Sequence, residues 1–273
     1  MKPRRPDPDP ARQDTHADDG PIEFLIHHPA EDVQRRVAAD PRLNEDLALA
    51  LLARRDLARS AVEDLTKNPS VMKSRLVINA VVRHPRAPRH VSIPIVRHLY
   101  TFELMHVALT PGAPADVKMA AEEALVMRLE TIASGERLTL AKQSSGRVAA
   151  ALLMDEETRV IIAALDNPQM TEAWIVKTLR SEKAPQTFVE LVCRHRKWSL
   201  REEVRLALLR NVNTPLGRIL QIAQSLPTAA LRDALRDAPL KASVKMYLFK
   251  ELEDRTGAKP KGSQASPGRG ADH

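Results

Sequence analysis

The sequence predicts an all-α chain: a right-handed α–α superhelix of about six helix-pair repeats, each near 42 residues, with an internal duplication. Three observations predict it. Residues 33–128 align without a gap on residues 160–255, at an offset of 127, with 20 identities among 96 positions. Within that duplication a valine opens an apolar run at Val33, Val77, Val117, Val160, Val204 and Val244, in steps of 44, 40, 43, 44 and 40 residues. A period near this length is that of a helix-pair repeat, which buries its apolar face only against a stacked neighbour. Finally, aromatic residues are 3% of a chain that is 43% hydrophobic. Ala, Leu and Val must therefore form the core, which suits close helix–helix packing better than a sandwich or barrel.

Residues 1–20 hold four prolines, five aspartates and four basic residues with no apolar periodicity, so they read as a disordered tail. Residues 257–273 read the same way. The helical body is expected over 21–256. Inside it, apolar residues share faces at helical spacing, as with Val160, Ala164 and Leu165, and with Val204, Leu208 and Leu209. Turns are marked by a polar residue, commonly followed by proline, and then a cap or second proline. The examples are Asp40–Asn44, His84–Pro88, Asn167–Thr171 and Asn211–Pro215. Asn44 and Thr171 are candidate caps at corresponding places in the two copies. Ser199-Leu200-Arg201-Glu202 fits a capping box, and Thr214-Pro215 fits a cap before a proline at the first helical position.

These patterns resemble the helical-repeat families of HEAT and leucine-rich-repeat-variant type. The nearest motif is Val204-Arg205…Leu208-Leu209-Arg210-Asn211-Val212-Asn213-Thr214-Pro215, and the likeness extends over residues 22–256. It implies a binding scaffold and no particular partner. The cysteine cluster that holds an iron–sulfur centre in some variant-type members has no counterpart, because Cys193 is the only cysteine.

Composition narrows the chemistry. One cysteine permits neither a disulfide framework nor a thiolate metal site, and Cys193 reads as a small buried hydrophobe. The longest apolar runs, Leu47–Ala53 and Val148–Met154, fall well short of the roughly 20 residues that span a bilayer. The N-terminus lacks a secretory pattern, so a soluble cytoplasmic protein is expected. His84, His90, His98 and His106 are spaced too widely for a helical metal pair, and no His-Glu dipeptide occurs. Glu122-Glu123 and Glu156-Glu157 are neighbours that diverge on a helix, which suits solvated faces better than acid–base work. No phosphate-binding glycine loop or nucleophile elbow is present. No cofactor, metal or catalytic group is therefore expected.

Charge is the functional signal. The net charge is +7, and residues 65–102 contain no acid while holding Arg83, Arg86, Arg89 and Arg97 among other cations. A second knot lies at Arg194, Arg196 and Lys197. Arg83 and the next three read as an edge of the solenoid where guanidinium forks, with nearby helix N-termini, meet an anionic ligand. The expected function is a non-enzymatic protein–protein scaffold or adaptor with a basic edge and an acidic protein partner. The alternative is a nucleic-acid-binding module using the same arginines, although stacking aromatics in this stretch are limited to Tyr100 and Phe102. A remoter enzyme reading, a HEAT-like DNA glycosylase, would recruit Trp174, Trp198 and Asp166.

The repeat assignment makes one prediction directly. Val204→Asp should lower stability by about 3 kcal/mol or more, because it buries an unpaired carboxylate. Urea denaturation of the variant should show the lost midpoint; an unchanged midpoint would mean that Val204 faces solvent.

Overall fold

The computed structural model describes residues 20–257, apart from the side chains of Asp237 and Thr256, and every regular element among them is a helix. The segments read as tails, 1–20 and 257–273, lie outside the described residues except at Gly20 and Gly257. Two compact units are present, with their boundary between Val148 and Ala149. Each copy of the duplication therefore occupies its own unit.

The first unit contains α1 (Ile22–Leu25), α2 (Glu31–Ala39), α3 (Glu45–Leu52), α4 (Arg59–Thr66), α5 (Arg75–Arg83), α6 (Arg89–Val96), α7 (Thr101–Leu109), α8 (Ala115–Arg128) and α9 (Ser134–Gln143). The chain passes through α10 (Gly146–Ala151) and a 3-10 turn at Leu152–Met154. The second unit contains α11 (Thr158–Leu165), α12 (Glu172–Leu179), α13 (Gln186–Arg194), α14 (Glu202–Leu209), α15 (Leu216–Ser225), α16 (Thr228–Asp237) and α17 (Ala242–Gly257).

The duplication is visible helix by helix. α2 to α8 begin at residues 31, 45, 59, 75, 89, 101 and 115, and α11 to α17 begin at 158, 172, 186, 202, 216, 228 and 242. All seven pairs differ by the sequence offset of 127. The six marker valines are each the third residue of their helix. Five of them are buried, and Val244 is half-buried. At that position a side chain in the first turn points back toward the helix start, where it closes the junction with the preceding turn.

The bookkeeping inside each 42-residue step differs from the expectation. Each step holds three short helices rather than two, for example α2, α3 and α4 between Val33 and Val77. In the first unit α2 packs on α4, α3 on α5, α5 on α7 and α6 on α8; in the second, α11 packs on α13, α12 on α14 and α14 on α16. These partners are next-but-one in sequence, with starts 26 to 30 residues apart, while adjacent helices also pack, most extensively α7 on α8. The physical unit is a helix pair of that length, and the valines mark every third helix, which is one and a half pairs.

Buried positions correspond between the copies while their sizes trade places. Ala48, Ala61 and Val71 are matched by Ile175, Phe188 and Trp198, whereas Val37, Leu57 and Val96 are matched by Ala164, Ala184 and Ala223. Dense packing tolerates such exchanges when the gained and lost volume offset each other nearby. Cys193 is buried, as expected of a small hydrophobe, and that burial pushes its thiol pKa up. Among the described residues no helix is long and apolar enough to cross a membrane.

The turns carry a second recurring device. Asn68 accepts the Ser70 amide at 3.0 Å and donates to the Ala38 and Asp40 carbonyls at 3.0 and 2.9 Å. Asn211 accepts the Asn213 amide at 2.9 Å and donates to the Leu179 carbonyl at 2.6 Å. His84, the counterpart of Asn211, accepts the Arg86 amide on Nδ1 at 3.2 Å and places Nε2 3.0 Å from the Arg54 carbonyl. One side of each group shapes its own turn; the other ties it to a helix end about 30 residues earlier. Arg128 and its counterpart Arg255 do the second job alone, donating to the Leu99 carbonyl at 2.7 Å and to the Ala223 carbonyl at 2.9 Å. These bonds satisfy carbonyls at, or within a few residues past, the C-terminal ends of helices.

The four cap expectations divide. Asn44 caps α3, accepting the Leu47 amide at 2.9 Å. Thr171 is the N-cap residue of α12 but makes no side-chain cap bond. The Ser199–Glu202 capping box does not form: Ser199 lies in a 3-10 turn, Trp198–Leu200, and α14 starts behind Arg201. The Trp198 indole explains the turn, since its N–H donates to the Leu165 carbonyl at 2.8 Å. Thr214 also departs from the expected cap role, its hydroxyl donating back to the Leu208 carbonyl at 2.7 Å while Pro215 occupies the N-cap of α15.

His84 is 3% exposed, and its two bonds suit a neutral ring with the proton on Nε2. Burial pushes its pKa below the ordinary histidine value, the Arg54 carbonyl works against this, and the Arg86 charge reinforces it. The native state therefore favours the neutral ring. Its stabilising effect is complete above the unfolded pKa of about 6.5 and is lost as pH falls toward the lowered native value. Replacing His84 with Asn, the residue its counterpart uses, should keep stability at pH 8 within about 1 kcal/mol. It should also flatten the loss below about pH 6.5. Chemical denaturation of both proteins across this range checks it; parallel profiles would show that another group titrates.

Candidate docking groove

α3, α5 and α7 lie side by side, each packed on the next. Their C-terminal ends, closed by Ala53, His84 and Thr110, share one edge of the first unit. A shallow groove of about 770 Å³ opens there. Leu49, Leu52, Ala53 and Ala80 supply an aliphatic lining, Pro85 and Pro111 come from the turns, and Arg54, Arg55 and Arg83 supply the charge. Two of those arginines are exposed; the third is not available to a ligand. Arg54 pairs with Asp56 at 2.7 Å and donates to the Ile26 and His28 carbonyls at 2.6 and 3.0 Å, so it fastens α1 to the unit. Arg83 bonds only its own helix through Nε, to the Asn79 carbonyl at 3.2 Å. Among the described residues no carboxylate lies within ion-pair distance of Arg55 or Arg83.

The arginines singled out from the acid-free stretch have separate fates. Arg83 borders the groove. Arg86 is drawn into the turn latch, with Nη1 3.3 Å from the Asp56 carbonyl and 3.5 Å from that of Leu57. Arg89 lies 2.7 Å from Asp116, an acid from outside the stretch, in an ion pair that leaves its side chain exposed. Arg97 closes the C-terminus of α6 and is exposed, while its carbonyl accepts from Arg128. Arg75 is also paired, bonding Glu103 and lying 4.2 Å from the Tyr100 ring. Burial opposes ionisation of Glu103, but Arg75, the Tyr100 amide and Asn79 outweigh it and hold the carboxyl below its usual range. The expected support from helix N-termini is corrected for most of this set. Arg83 ends α5 and Arg97 caps the end of α6, where a cation complements the helix dipole and screens exposed carbonyls. Only Arg89 stands at a helix start.

In the second unit, Arg194 ends α13 and borders a smaller cavity of about 240 Å³ with Cys193 and Arg218. Arg196 is exposed in the following turn, and the Lys197 ammonium sits 4.0 Å from the Trp198 ring centre. His195, the counterpart of Asn68, directs Nε2 at Asp166 at 3.2 Å. Trp198 is 2% exposed, which leaves no ring face on which a nucleobase could stack. Trp174 is half-buried, with the Lys177 ammonium 5.1 Å from its ring centre. No cluster of three or more His, Cys, Asp or Glu suited to a metal ion occurs among the described residues.

Arg55 was not visible from charge density alone, because Asp56 follows it and the acid-free stretch begins later. The duplication carried the signal. The counterpart of Arg55 is Glu182, and that of Ala53 is Arg180. The shared architecture accepts either charge at the first position and either size at the second, so neither Arg55 nor Ala53 is required by the fold.

Comparisons with protein-family models, with curated proteins and with solved structures return no match to the chain.

These environments predict different costs for two neighbouring arginines. Arg86→Glu should destabilise the first unit by about 1–3 kcal/mol, since it breaks bonds to two turn carbonyls and places an acid beside them. Arg83→Glu should stay within about 0.5–1 kcal/mol. Thermal denaturation of the two variants measures the difference; equal losses would place both side chains in the same role.

Proposed function

We propose that the chain is a non-enzymatic protein-binding scaffold or adaptor of helical-repeat type, akin to the HEAT and leucine-rich-repeat-variant families, acting in the cytoplasm. The observation that carries this reading is the groove at the ends of α3, α5 and α7: aliphatic in its lining and bordered by two arginines without acidic partners. Such a surface suits a protein ligand, which supplies apolar side chains and carboxylates together.

The nucleic-acid alternative uses the same guanidinium chemistry but needs more of it. Phosphate tracking calls for a row of available cations, and in this stretch Arg75 and Arg89 are paired while Arg86 serves its turn. Base stacking calls for aromatics at the groove, whose lining contains none except the buried His84. Arg97 and the second-unit set Arg194, Arg196 and Lys197 remain secondary contact candidates under either reading.

Salt dependence separates the two. Binding of the purified protein to a labelled arbitrary duplex should be weak at low salt and should lack the steep fall between low and physiological salt that phosphate neutralisation produces. Tight duplex binding with a steep salt slope, abolished by Arg55→Glu/Arg83→Glu, would replace the protein-binding reading with the nucleic-acid one.

A further inference from the structure

We infer that the first-unit groove, and not its second-unit counterpart, docks a short acidic peptide segment with a leucine-like anchor. The inference rests on the protein-binding reading above and makes it specific. Its basis is a comparison the molecule makes with itself.

The same three-helix edge exists in the second unit, built by α12, α14 and α16 at the same offset. Aliphatic positions persist there: Leu49, Leu52 and Ala80 correspond to Val176, Leu179 and Ala207. Of the two exposed arginines, Arg83 persists as Arg210 but Arg55 does not. Ala53 becomes Arg180, an exposed residue that caps the end of α12, and Arg55 becomes Glu182, also exposed. A different cavity of about 490 Å³ opens along α12 and α14, and it shares with the first-unit groove only the positions of Val176 and Arg180. One copy of the edge thus combines an accessible aliphatic lining with cations and no acid; the other has a bulky cation in place of Ala53 and an acid in place of Arg55.

The chemistry of the ligand follows from what the first-unit groove offers. A guanidinium fork donates two parallel hydrogen bonds to a carboxylate, and Arg55 and Arg83 are both exposed for this. The adjoining helix ends carry partial negative charge that opposes an acid. That effect is confined to the last turn, however, and the ends here are partly covered by cap bonds such as that of His84 to the Arg54 carbonyl. Full charges on two flexible side chains at the border outweigh it. Leu49, Ala53 and Ala80 remain partly or wholly exposed, so an aliphatic side chain laid against them removes apolar area from water on both partners. Acid without an anchor gains only exposed ion pairs, which are worth little. An anchor without acid gains no discrimination between the two units.

The test grafts the second copy onto the first. Ala53→Arg/Arg55→Glu installs residues that the same fold already carries at the corresponding positions, and circular dichroism should confirm unchanged helicity. Fluorescence polarisation is read with a labelled repeating Glu-Glu-Leu peptide, alongside Lys-Lys-Leu and Glu-Glu-Ser peptides. The intact protein should bind Glu-Glu-Leu at least about tenfold more tightly than either control, and the graft should lose about tenfold in affinity. Equal binding by intact and grafted protein would overturn the groove assignment while leaving the protein-binding reading in place. Absence of peptide binding together with tight duplex binding would overturn both. Self-association of the intact protein that the graft abolishes, without peptide binding, would replace the peptide with a second copy of the chain.

Discussion

The recurring constraint in this molecule is the packing of helices on their next-but-one neighbours. A helix of eight or nine residues is too short to be stable alone, because nucleation is costly and most of its backbone groups sit in end turns. Here several short helices, α2, α3 and α12 among them, are held twice: by apolar residues pressed against a helix starting 26 to 30 residues away, and by a polar side chain from a turn that bonds carbonyls at or just past their own ends. The two restraints share one separation in sequence. Asn68, His84, Arg128, Asn211 and Arg255 reach back across the same interval that relates the packed helices. The ladder explains how so many short helices can be linked by proline-marked turns without leaving unpaired backbone in the interior.

Periodicity in the sequence reported the helices and the duplication correctly because both are written in burial. A valine at the third position of a helix cannot drift without exposing its face, so the six marker valines keep their place. The smaller physical repeat was hidden because most intervening helices use other residues there: Leu47 in α3, Ala61 in α4, Trp174 in α12 and Phe188 in α13, with Val91 in α6 an exception. The turn ladder was equally hard to read. Asn and His look unrelated in an alignment, yet each has an acceptor that takes an amide two residues on and a donor that reaches a distant carbonyl. Asn68 and His84 therefore hold the same place that His195 and Asn211 hold in the other copy, with the residue types exchanged.

The groove was only half legible. Arg83 stood out in a stretch free of acids, but the same stretch also contained Arg86 and Arg89, whose charges are engaged by the Asp56 and Leu57 carbonyls and by Asp116. Local charge counts cannot see a partner 27 to 30 residues away. Nor could they separate Arg55, which touches the groove, from Arg54, whose fork is engaged by Asp56 and the end of α1. What distinguishes these residues is position on the next-but-one lattice: a side chain pointing back along it becomes structure, and one pointing away from it remains available.

The placement of the two tryptophans has a practical consequence. Trp174 and Trp198 both belong to the second unit, and the first contains none. Trp198 is enclosed, and its indole N–H is committed to a backbone carbonyl, so its emission is set by an environment that vanishes when α11 and α13 separate. Intrinsic indole fluorescence is therefore an optical probe of one copy alone, while far-ultraviolet dichroism sums over both. A mismatch between the two signals would read out, without any label, whether the copies melt independently.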